Sequence, residues 1–164
     1  MEGLTKLIQQ QHEFEAYKSQ KAQQLADHVD HLKYLITTKL LEVCEEFDHS
    51  IIEQDTLVFT YKELTISIKI INPITEKRAE KEYNLAKRVS ERLTIILSVQ
   101  KKKDAQEDTY TIKDKTQYKK NGPYLYQIQT QNGPTTTEDF LQILDTYFSH
   151  ISALKVEFKE NSLY

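Results

Sequence analysis

The chain has 164 residues, of which 38% are hydrophobic and 29% charged, and its net charge is −3. This is the length of one domain and a globular composition. No apolar run is long enough to cross a membrane, and the N-terminus lacks the basic segment and apolar core of a signal peptide. A single cysteine, Cys44, excludes an internal disulfide and points to a reducing, cytoplasmic compartment.

Glycine gives the sharpest exclusion. There are three, Gly3 near the N-terminus and Gly122 and Gly133 within Asn-Gly-Pro triplets. A phosphate-cradling loop or dinucleotide fingerprint needs clustered glycines where backbone must approach a ligand. A nucleophile elbow needs Gly-x-Ser-x-Gly. Neither pattern can be assembled, and no cofactor is expected.

From Thr5 to Asp48 neither glycine nor proline occurs, and apolar residues recur at helical spacing. On a 100° wheel, the side chains from Phe14 and Tyr17 through Leu25, Val29, Leu32 and Ile36 to Phe47 fall within an arc of about 140°. This predicts an amphipathic helix, firmest over residues 22–48. Lys18 to Lys21 interrupts the stripe, so residues 1–21 read as a protruding or separately packed arm of a single 1–164 domain. Such a helix would measure about 65 Å, whereas a globule of this size is roughly 40 Å across. The excess length predicts pairing with a second copy, and Phe14, Tyr17, Leu25, Val29, Leu32 and Ile36 are the expected dimerisation face.

Leu57, Phe59 and Tyr61 alternate with Val58, Thr60 and Lys62, and Leu64, Ile66, Ile68 and Ile70 with Thr65, Ser67, Lys69 and Ile71, as two strands joined by a tight turn near Lys62-Glu63. After Asn72-Pro73, Thr75 is placed to cap a short helix over residues 76–90. Leu93 to Val99 reads as a third strand, Thr109 to Lys113 as a fourth and Tyr124 to Thr130 as a fifth. Thr136 or Thr137 is expected to begin a last helix with the stripe Phe140, Ile143, Leu144, Tyr147, Phe148, Ile151 and Leu154. The order α-β-β-α-β-β-β-α predicts an α+β fold, a mainly antiparallel sheet of about five strands with helices on one face.

Three constellations bear on chemistry. His28 and His31, beside Asp27 and Asp30, are neighbours on a helix and could chelate a metal given a third ligand; a solvated helix face is the simpler account, so no metal is expected. Cys44 lies beside Glu45 and Glu46, whose charge raises a thiol pKa and disfavours a nucleophile. The basic middle is the best candidate, since residues 101–120 carry 7 Lys/Arg against 4 Asp/Glu. Lys101, Lys102, Lys103, Lys119 and Lys120 mix there with Tyr110, Tyr118, Tyr124 and Tyr126. The simplest account is turn lysines beside tyrosines of the sheet core; as a site, tyrosine and lysine on a sheet suit a protein-binding surface, and in a further reading a single-stranded nucleic acid.

The expected function is therefore a non-enzymatic protein-interaction module: a small accessory, adaptor, inhibitor or chaperone-like factor that binds another protein and is itself a homodimer. The alternative is a nucleic-acid-binding module using residues 101–126. A metal-dependent enzyme built on His28 and His31 stands third, and no membrane partner is expected.

Overall fold

A computed structural model describes residues 1–73, 92–120 and 122–153, without the side chains of Lys119 and Ala153. Helix α1 runs unbroken over Glu2–Val43. No break forms at Lys18 to Lys21, and both lysines set their ammonium groups over aromatic rings. The Lys18 ammonium sits 4.7 Å from the centroid of Phe14, and that of Lys21 sits 4.3 Å from Tyr118. The helix stops earlier than its periodicity predicts. Cys44 turns extended, its N–H still donating to the Leu40 carbonyl at 3.0 Å. Phe47 leaves the helix and meets Phe59 and Tyr61 edge-on.

Seven strands follow: β1 (Asp48–Ile52), β2 (Thr56–Tyr61), β3 (Leu64–Ile71), β4 (Thr94–Gln100), β5 (Asp108–Asp114), β6 (Tyr126–Thr130) and β7 (Gly133–Thr137). Each pairs antiparallel with the next, so the sheet is a meander in sequence order. Helix α2 (Phe140–Ala153) closes the described chain.

The α+β class is as expected, but the count of five strands is too low. The two additions are the edge strands. β1 carries no alternation, since all five of its residues are exposed. β7 contains Pro134, which an edge strand tolerates because its missing N–H would not be needed by a neighbour. The second Asn-Gly-Pro triplet thus opens a strand instead of ending one, with Gly133 at φ +103° closing the β6–β7 hairpin. Thr136 and Thr137 belong to that strand. The α2 cap is Asp139, whose carboxylate accepts from the Gln142 N–H at 3.1 Å. The middle helix expected over residues 76–90 lies outside the described residues, as does Leu154.

One face of the sheet makes the core. Leu57 and Phe59, Ile66, Ile68 and Ile70, Ile95, Leu97 and Val99, Ile112 and Tyr126 present alternate positions of five strands to the helices. From α1 they receive Leu25, Leu32, Ile36 and Leu40, and from α2 Phe140, Ile143, Leu144 and Ile151. No helix among the described residues is long and apolar enough to cross a membrane.

Candidate functional site

Two features stand out, one buried and one exposed. The buried one begins at His28, three residues after Leu25 and four before Leu32, on the core face of α1. Its side chain is wholly inaccessible, so the solvated helix face expected for it is not what forms. The strand parity of β5 supplies its surroundings. Ile112, Asp114, Thr116 and Tyr118 are all buried while Lys113, Lys115 and Gln117 are exposed, so the alternation runs on past the end of the strand. Three polar side chains are thereby carried into the core, where each needs a partner.

They find them in each other. His28 Nδ1 lies 2.7 Å from the Tyr118 hydroxyl, and Nε2 lies 2.6 Å from the Tyr126 hydroxyl. Tyr118 donates its proton to Asp114 Oδ2. Asp114 also accepts from the backbone N–H of Leu93 at 3.1 Å and of Thr116 at 2.9 Å. A carboxylate only accepts, so the Tyr118 oxygen must in turn accept from Nδ1–H. Nε2 then bears the lone pair and accepts from Tyr126. The chain of donors runs from Tyr126 through His28 and Tyr118 to Asp114. Tyr124 covers it, its ring stacked on the imidazole at 3.8 Å and 4°.

Burial sets the protonation states. Desolvation outweighs the attraction of Asp114 and lowers the His28 pKa to about 4, with the nearby His31 adding a small push the same way. Burial, and then Asp114, pushes the Tyr118 hydroxyl far above its ordinary range, and the same two causes raise Tyr126. The network is therefore neutral at the imidazole and fully protonated at both phenols at physiological pH. It joins α1 to the end of the sheet. Gln24 adds a further tie to the Tyr118 carbonyl at 3.0 Å, and Arg92 one to the Thr116 carbonyl at 3.2 Å. Both imidazole nitrogens are spent on tyrosine hydroxyls, so His28 has no lone pair to offer a metal and no face open to a substrate. Among the described residues no three His, Cys, Asp or Glu side chains are grouped to hold an ion.

The basic, tyrosine-bearing segment does not form one surface. Lys102 and Lys103 are exposed at the β4–β5 turn, whereas Lys101 donates to the Ile151 carbonyl at the end of α2. Lys113, Lys115 and Lys120 are exposed at the opposite end of β5, which is roughly 20 Å long. The side chain of Lys119 lies outside the described part. Tyr118 and Tyr126 are interior, Tyr124 is half-covered against His28, and Tyr110 stacks on Tyr147 of α2 at 4.5 Å. The aromatic rings thus face the helices and leave the lysines without a stacking platform.

The exposed feature is the start of α1. Phe14, Leu25, Leu32 and Ile36 are buried within this chain, and Tyr17 and Val29 are half-buried. The stripe expected to pair two copies is therefore largely taken up by the chain's own packing. Residues 1–13 are all exposed. Leu4, Leu7 and Ile8 are 48%, 63% and 52% accessible, and Leu4 and Leu7 project along the same arc as the buried stripe. Periodicity alone could have found them, since Leu7 and Phe14 are one heptad apart. The signal is weaker because three glutamines follow Ile8. Comparison with family models, with curated proteins and with solved structures finds no match to this chain.

Proposed function

We propose that this chain is a non-enzymatic protein-interaction module that works as a homodimer in a reducing, cytoplasmic compartment, with residues 1–13 as the pairing element. The observation that carries this reading is the exposed row Leu4, Leu7 and Ile8 on a helical arm about 20 Å long. Its residues are all exposed, so this end of α1 is supported only by propagation from the packed part of the helix. Local bonds, such as Gln9 to Glu13 and Gln11 to Glu15, add only a few tenths of a kcal/mol each. The partner is a second copy because the arm is electrically almost neutral. Between Gly3 and Gln11 the one charged side chain is Lys6, so two identical arms meet without like-charge rows. Two arms alone give an interface at the small end of the known range, so the dimer is expected to be reversible.

The test is light scattering across micromolar concentrations. The wild-type chain should approach twice the 19.3 kDa protomer mass. Replacing Leu4, Leu7 and Ile8 together by Ser should leave a folded monomer at every concentration. A wild-type chain that stays monomeric, or a triple variant that still pairs, contradicts the proposal.

A further inference from the structure

The two edges of the sheet are treated differently. At β7 the free edge is guarded by Pro134, which has no N–H to offer, and by the glycine turn that precedes it. At β1 there is no proline, no lysine and no bulge. The β1–β2 register runs without a gap from Asp48↔Thr60 to Ile52↔Thr56. Every second residue of β1 therefore points its backbone N–H and C=O away from the sheet. All five residues are exposed, and Ile51 and Ile52 are 55% and 50% accessible, one on each face. An uncovered, regular, partly apolar edge is a template for another strand.

Charge selects what can pair there. From Leu40 to Tyr61 the chain has six Asp/Glu and no Lys or Arg. Glu42 is matched by Lys39 and Asp55 by Lys69. Glu45, Glu46, Asp48 and Glu53 have no ion-pair partner among the described residues, and all are exposed. A second copy is a poor occupant, because an antiparallel β1–β1 pairing centred on Ser50 would bring the Glu53 end of one copy beside the Asp48 end of the other. We infer that β1 is a docking edge for an extended segment of a partner protein that alternates basic with apolar residues. Its lysines or arginines would lie on the Asp48 face and its apolar side chains beside Ile51. This rests on the reading of the chain as an interaction module, but not on the arm.

The experiment uses the Leu4/Leu7/Ile8 triple variant, so the outcome for the arm cannot mask the outcome for the edge. A blocked heptapeptide alternating Lys with Val is titrated to millimolar concentration and followed by amide NMR shifts. Two controls are the same peptide N-methylated at alternate amides and a Glu–Val peptide. The Lys–Val peptide should shift the amides of residues 48–52, and each control should bind at least ten-fold more weakly. Changing Glu45 and Asp48 to Lys, both exposed, should reverse the preference between the Lys–Val and Glu–Val peptides. No shift at β1, equal binding of the N-methylated peptide, or concentration-dependent shifts at β1 without peptide would overturn the inference.

Discussion

Acidification should loosen this fold through one residue, His28. In the unfolded chain an imidazole titrates near its ordinary value of 6.5, whereas in the folded chain burial lowers it to about 4. Between these values the unfolded state takes up a proton that the folded state refuses. The contribution of neutral His28 to stability is therefore complete above pH 6.5 and is lost as pH falls toward 4. At 1.36 kcal/mol per pKa unit the full loss is about 3 kcal/mol, of which about 2 kcal/mol has gone by pH 5. The assay is urea unfolding at fixed pH values from 7 to 5, compared with His28→Leu. The variant should be less stable at pH 7, because the Tyr126 hydroxyl loses its acceptor and the Tyr118 oxygen its donor. Its curve against pH should also be flatter than wild type by about 2 kcal/mol over this range. The four other histidines are common to both proteins and cancel in the comparison. Parallel curves would refute the argument that a neutral, buried imidazole holds α1 to the sheet.

Other substitutions probe single links. Tyr126→Phe removes the hydroxyl that donates to Nε2 and should cost about 1–3 kcal/mol in thermal or urea unfolding. Asp114→Ala leaves Tyr118 and two backbone N–H groups without their acceptor and should cost more than Tyr126→Phe, about 3 kcal/mol or above. Asp139→Ala removes the α2 cap and should cost about 1 kcal/mol. Gly133→Val places a β-branched residue at φ +103° and should cost about 1–3 kcal/mol although nothing crowds the site, a loss measurable by urea unfolding.

Where burial imposes a period, the fold was legible. β2, β3 and β4 alternate strictly because one face of each meets the helices, and the Tyr61–Leu64 hairpin follows from the turn between two such runs. β1 was illegible for the opposite reason, since Asp48-His49-Ser50-Ile51-Ile52 buries neither face and leaves no pattern. The Pro134 strand was hidden because proline is a breaker everywhere except at an edge.

The candidate sites failed to read for a related reason. Lys18 and Lys21 look like an interruption of the helix, but both are half-buried, with their ammonium groups over Phe14 and Tyr118. Tyr118 and Tyr126 admit two readings, sheet core or a surface among lysines, and the parity of Ile112, Asp114 and Thr116 decides for the core at Tyr118. An aspartate on the core parity of a strand is itself a signal that a buried donor must exist. His28, between Leu25 and Leu32, was that donor's counterpart on α1.

In the proposed dimer, residues 1–13 are covered by a second copy in solution. Amide hydrogen exchange reads this directly, because a free arm of marginal helicity exchanges nearly as fast as an unfolded chain. Protection of the amides from Leu7 to Glu13 should rise with protein concentration and disappear when Leu4, Leu7 and Ile8 are changed to Ser. Fast exchange of these amides at every concentration, with α1 protected only from about Phe14 onward, would contradict the dimer.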